Sequence, residues 1–139
     1  MPVEEHSYGV VPYREEGGRV LFLLVLHHAG HWAFPKGHGE GSESELETAR
    51  REFEEETGVK DYEIENIAFT ERYMVPRRPP IQKTVKYFLG RVRDPHFKIQ
   101  VEEIADAAWL AFDEAMAKMT FEEGRKILIQ AKSHFDKKT

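Results

Sequence analysis

The sequence predicts one α+β domain, and three observations carry that reading. The runs Arg19–His27 (RVLFLLVLH) and Gln82–Val92 (QKTVKYFLGRV) are short, rich in branched and aromatic side chains and bounded by turn residues, as strands are. Leu46, Ala49 and Phe53 recur at helical spacing, and Phe121, Leu128, Ala131 and Phe135, with Ile127 beside them, mark a second amphipathic helix that closes the chain. A chain of 139 residues is long enough to bury one core and offers no internal repeat, low-complexity stretch or second domain.

Taken in order, Ser7–Tyr13 (SYGVVPY) is an apolar strand and Glu15–Gly18 a turn, followed by the buried strand Arg19–His27. Trp32-Ala33-Phe34 forms a short strand, and Pro35-Lys36-Gly37 turns the chain toward an acidic helix. Ser42 or Ser44 caps that helix, with Glu45 or Glu47 completing a capping box, and Gly58 supplies its left-handed end. Residues 61–75 alternate loosely as a strand, and Met74–Ile81 (MVPRRPPI) is a proline-rich connector carrying Arg77 and Arg78. In the Gln82–Val92 strand, period two places Lys83, Val85 and Tyr87 on one face and Thr84, Lys86 and Phe88 on the other. A last strand runs Ala107–Ala111, a short helix spans Asp113–Met119, and Thr120 with Glu123 forms a capping box for the closing helix.

Composition narrows the function. The absence of cysteine excludes disulfides and thiolate metal sites and fits a reducing, cytoplasmic compartment. The N-terminal MPVEEHSYGV has no apolar signal core, and the longest apolar run, Val20–Leu26, is too short to span a bilayer, so no membrane partner is expected. The net charge of −5 is unevenly spread: residues 40–56 carry eight glutamates against Arg50 and Arg51, a local charge of −6, which leaves the rest at +1. A surface of that kind can still receive a polyanion beside a metal-binding helix. His27, His28, His31 and His38 fall within twelve residues but lack the paired spacing of a zinc site.

The acidic helix carries the chemistry. Glu52, Glu55 and Glu56 are spaced i, i+3, i+4, so three carboxylates share the face away from the apolar stripe. Glu52 and Glu56 repel each other unless something neutralises them, and oxygen ligands at this density suit a hard divalent ion, Mg²⁺ or Mn²⁺. A solvated acidic face is the ordinary explanation of a Glu-rich helix; here the spacing decides. From Gly37 to Val59 the chain reads G-x5-E-x7-R-E-F-x-E-E-x-G-V, a pattern that arises by chance about once in 10⁹ starts.

That stretch resembles the Nudix box at every position. PKGHGEGSE after Trp32, KTVKYFL and EEIADAAWL extend the resemblance from Tyr8 to about Phe135, and together they look like the diadenosine tetraphosphate hydrolases of the animal and bacterial type. The resemblance implies a single Nudix domain over residues 1–139, folded as an α/β/α sandwich with a mixed sheet between helices. It also implies metal-dependent asymmetric hydrolysis of diadenosine tetraphosphate to ATP and AMP. Residue by residue it makes Glu52, Glu55, Glu56 and Glu103 metal ligands. Glu103, which keeps the family spacing to Trp109, would be the base in preference to Glu102; Glu55 and Arg51 would complete the catalytic set, Arg51 as the box arginine paired to Glu43. His31, Lys36 and Lys83 would face phosphates, Tyr87 would stack an adenine, and Phe121 stands where some members carry a second ring. The partner so implied is a small nucleotide bound by a monomer, with no stable nucleic-acid complex.

The box leaves the group attached to the diphosphate open. The Arg77, Arg78, Lys83 and Lys86 set would also suit a diphosphoinositol polyphosphate or an RNA 5′-pyrophosphate, and ADP-ribose is a further alternative. A non-catalytic nucleotide-binding module is the reading from another class, against which the intact carboxylates argue.

Overall fold

The computed structural model describes residues 2–137. Seven strands, β1 (Val3–Glu16), β2 (Arg19–His27), β3 (Trp32–Ala33), β4 (Lys36–Gly37), β5 (Tyr62–Val75), β6 (Ile81–Val92) and β7 (Ile104–Ala111), form one sheet, accompanied by α1 (Glu45–Thr57), α2 (Phe112–Lys118) and α3 (Glu122–Lys137). The main path is β3-β2-β1-β6-β5, with β4 added to β1 and β7 to β2. β1 and β6 run parallel while β2, β4, β5 and β7 pair antiparallel, so the sheet is mixed.

Side-chain alternation explains the layers. On one face Val11, Phe22, Leu24, Val85 and Leu89 pack under Ala115 of α2, Met119 just after it, and Ile127, Leu128 and Ala131 of α3. On the other, Val10, Leu23, Val25, Val92 and Ala107 receive Ala49 and Phe53 of α1. Adjacent residues of β2 thus feed opposite cores, which is why that strand reads as an unbroken apolar run. The result is the expected α/β/α sandwich.

Helix α1 is held at both ends. Ser44 is the cap: its hydroxyl accepts from the Glu47 N–H at 3.1 Å, and the Glu47 carboxylate accepts from the Ser44 N–H at 2.8 Å. Gly58 terminates it at φ 69°, where a Cβ would lie 2.7 Å from the Lys98 carbonyl. The Lys98 and Gln100 N–H groups then bond the Thr57 and Glu56 carbonyls, which fastens loop 93–103 across the helix end.

Three expectations change. Thr120 does not cap α3, which begins two residues later; its hydroxyl instead accepts from the Trp32 N–H at 2.8 Å and ties the start of α3 to β3. Phe121 is not a core residue of that helix but is 47% exposed. The first strand is also longer than its apolar segment, because parallel pairing with β6 continues through Val3–Ser7.

Candidate active site

Chain geometry brings the ends of β2, β4, α1 and loop 93–103 together. Lys36 and Gly37 lie against Tyr8 and Gly9 of β1, which directs β4 at the face of α1. A Cβ on Gly37 would sit 2.1 Å from the Glu52 carboxylate, so only glycine leaves that carboxylate its place. On the far side, the His28 N–H bonds the Glu103 carbonyl at 3.1 Å and its ring nitrogen lies 2.6 Å from the Val101 carbonyl. Those contacts hold the Glu103 turn against the β2–β3 connection.

Arg51 organises the loop before the helix. Its Nε donates to Glu43 at 2.7 Å, and one terminal nitrogen reaches Glu43 at 3.1 Å and the His38 carbonyl at 2.9 Å. The other stands 3.1 Å from Glu40, 3.3 Å from Glu55 and 3.7 Å from Glu52. The bidentate pair explains why the eight-residue spacing of Glu43 and Arg51 matters. Hydrogen bonds from Arg51 hold the Glu43 carboxyl down to about 2, helped by the Glu40 backbone. Arg51 is therefore a positioning residue, since its donors are spent on protein oxygens.

Two box carboxylates behave differently. Glu56 is 2% exposed, its Oε1 has no partner, and burial, then the charges of Glu52 and Glu103, pushes its pKa up to about 9. Burial, reinforced by Glu55 and Glu103 against the pull of Arg51, raises Glu52 to about 7. Both line a cleft of about 340 Å³ with Glu103, Lys36, Gly37 and His31. Glu55, 47% exposed at its side chain, turns to Arg51 and does not line that cleft. Among the described residues no group of three His, Asp or Glu is already poised as a metal site. The donor set nonetheless fits a hard divalent ion: it is all oxygen, it concentrates negative charge, and it includes a buried carboxylate oxygen with nothing to bind.

The cleft continues past Lys36. A second lobe of about 480 Å³ shares His27, His31 and Lys36 with the first and ends among Tyr73, Met74, Lys83, Phe121 and Glu123. Burial, then the charge of Lys83, lowers the Lys36 pKa, while Glu56, Glu123 and Glu52 hold it up. His31 stacks on His27 at 4.3 Å and meets the Phe121 ring at 5.3 Å. Burial brings His27 down to about 4 and lowers His31 as well, so neutral imidazoles line the passage at neutral pH.

Most of the expected substrate residues, His31, Lys36, Lys83 and Phe121, thus meet along one channel. Tyr87 departs from the expectation: it is 4% exposed, edge-on to Phe34 at 5.8 Å, and packed in the core between the sheet and α2. The strand period gives its face correctly, but Met119 and Phe34 cover that face below Lys83. The basic set is split too. Lys86 points to the opposite face and bonds Glu45 at 2.9 Å, while Arg77 and Arg78 are exposed and line neither lobe. Sequence reasoning missed Tyr73 and His27 as lining residues; Tyr73 shares the inward alternation of Phe69, four positions before it.

With this geometry in hand, the sequence matches the NUDIX domain across residues 5–131. The chain belongs to the Nudix family. Its curated relatives include the asymmetrical bis(5′-nucleosyl)-tetraphosphatase of Rattus norvegicus, 37% identical over 115 residues that cover 78% of this chain and 76% of the relative. A Caenorhabditis elegans protein of the same name is 30% identical over 113 residues, covering 78% and 80%. Among solved structures, a C. elegans Ap4A hydrolase binary complex superposes with a TM-score of 0.84 at 25% identity, covering 95% of this chain and 98% of that one. No helix of this Nudix domain, among the described residues, is long and apolar enough to cross a membrane.

Proposed function

We propose that this Nudix domain hydrolyses dinucleoside polyphosphates, with asymmetric cleavage of diadenosine tetraphosphate to ATP and AMP as its reference reaction. The observation that carries the reading is the continuity of the cleft, from the carboxylates through Lys36 and the two imidazoles to an aromatic lobe. That order matches the order of parts in the substrate: reacting phosphates, further phosphates, nucleoside. The names of the relatives point the same way.

Glu52, Glu56 and Glu103 would hold Mg²⁺ or Mn²⁺, with Glu55 free to join by leaving Arg51. A divalent ion supplies charge against the phosphates and makes water more acidic. Lys36, half-buried between the lobes, sets an ammonium beside the phosphate chain and stabilises charge on the leaving phosphates. Lys83 extends that cationic line toward the nucleoside. Glu103 is exposed and reachable by solvent, so it is the carboxylate placed to take a proton from the attacking water. Arg51 keeps the box loop in register with α1. Phe121 and Tyr73 take the stacking role first assigned to Tyr87.

A panel tests the reading: diadenosine tetraphosphate, diadenosine diphosphate, ADP-ribose, triphosphorylated RNA and diphosphoinositols with Mg²⁺, products resolved by anion exchange. Diadenosine tetraphosphate should be turned over fastest, giving ATP and AMP, because the cations span more than two phosphates. A preference for ADP-ribose or for the two-phosphate dinucleotide would sink the proposal.

A further inference from the structure

Hydrolysis of a polyphosphate gives no task to Glu123. This side chain lies in the first turn of α3 and lines the aromatic lobe. It also lines a narrow, almost wholly apolar crevice of about 20 Å³ behind it, between Phe34, Val85, Tyr87, Met119 and Phe121. Among the described residues it makes no hydrogen bond and no ion pair, although its charge is felt at Lys36, Tyr73 and Tyr87. The helix start does not require it there. Glu122, one residue earlier, already places an acid in the first turn and pairs with Arg125 at 3.2 Å.

A carboxylate facing a cleft that admits a polyanion opposes binding unless it meets a donor. A nucleotide offers donors on its base and on its ribose, and the flat, ring-lined surroundings of Glu123 suit the base. We infer that Glu123 accepts hydrogen bonds from the Watson–Crick edge of a guanine in this lobe, so that guanine-bearing dinucleoside tetraphosphates are preferred over adenine-bearing ones. A carboxylate is acceptor-only with two oxygens. Guanine presents N1–H and N2–H₂ side by side and satisfies both; adenine presents N6–H₂ beside the N1 lone pair, which leaves one oxygen facing an acceptor. The inference rests on the dinucleotide reading for its substrate and on Glu123 alone for its base preference.

The experiment compares kcat/KM for diguanosine, diinosine and diadenosine tetraphosphate in the wild type and in Glu123→Gln. A bidentate pair discriminates by roughly 5- to 150-fold, so the wild type should favour guanine over adenine by about tenfold or more. Inosine, which lacks the N2 amine, should fall between. Glutamine presents one acceptor and one donor, which match the N6–H₂ and N1 of adenine and equally the N1–H and O6 of guanine, so the preference should be lost in the variant. A merely structural role would move both substrates together. An unchanged guanine-to-adenine ratio overturns the inference, as does a loss on removing the 2′-hydroxyl whatever the base, which would assign Glu123 to ribose. Titrations of tryptophan fluorescence with GMP and AMP separate the two levels. A GMP preference that Glu123→Gln abolishes sustains base reading even if no dinucleotide is cleaved. Equal GMP and AMP binding overturns it while leaving dinucleotide hydrolysis standing.

Discussion

Replacing Glu56 by glutamine separates the cost of the site from its use. The folded-state pKa of Glu56 is about 9 against an ordinary 4.5, so the native protein keeps a proton that the unfolded chain has released. Stability must then fall as pH rises from the unfolded value to the folded one, at about 1.4 kcal/mol per pH unit. His27, lowered to about 4, works in the opposite direction up to its ordinary 6.5, so the slope is read cleanly above that. Between pH 7 and 9 the Glu56 contribution has a ceiling of about 3 kcal/mol, or a Tm change of about 8 °C for a domain of this size. In EDTA, wild-type Tm should decline over this window while Glu56→Gln stays nearly flat and melts higher at pH 9. Saturating Mg²⁺ or Mn²⁺ should recover the wild type, by about 2.7 kcal/mol at a hundred times Kd, and leave the variant unmoved and nearly inactive. Differential scanning calorimetry across pH, with and without metal, checks each statement. Parallel Tm curves for the two proteins in EDTA would refute the claim that Glu56 is held protonated by its burial.

Two further outcomes follow from packing. Tyr87→Ala should cost about 3–5 kcal/mol and lower Tm by about 10 °C, whereas Tyr87→Phe should stay close to wild type; a wild-type Tm with a raised KM would return the ring to the adenine site. Gly37→Ala should drive the Glu52 carboxylate from its place and reduce kcat by about tenfold or more with little change in Tm, because only a flexible side chain has to move; unchanged kcat would show that Glu52 does not need that position.

The parts of this molecule legible in the sequence are those whose cause is local. The cap at Ser44, one of the two serines the pattern offered, the left-handed end at Gly58, the β2 run and the carboxylate face of α1 each depend on residues within one or two turns of chain. The pairing of Arg51 with Glu43 stands as the Nudix resemblance implied, and residue pattern alone did not give it. The misplacements have long-range causes. Thr120 carries the composition of a cap, but its hydroxyl is claimed by Trp32, 88 residues away. Tyr87 and Lys83 share a strand face by period two, yet that face is open at Lys83 and covered at Tyr87 by Phe34 and Met119, which directly follow β3 and α2. Alternation reports which side a residue faces and is silent on what waits there.

The same limit applies to charge, and it bears on how the site works. Eight glutamates in residues 40–56 look alike in sequence, but tertiary packing gives them different duties. Glu47 closes a cap, Glu45 meets Lys86, Glu54 accepts from the Tyr62 hydroxyl at 2.7 Å, and Glu40 and Glu43 hold Arg51. Those five are answered by partners and Glu55 by Arg51, which leaves Glu52 and Glu56 as the carboxylates that burial drives toward the protonated form. A helix so acidic folds because most of its charge is answered locally. The unanswered part is confined to the face beside Lys36, where an ion and a phosphate chain can answer it. The proton on Glu56 competes with a metal ion for the same oxygens, so metal affinity should rise with pH toward 9 and occupancy of the site should release that proton to solvent.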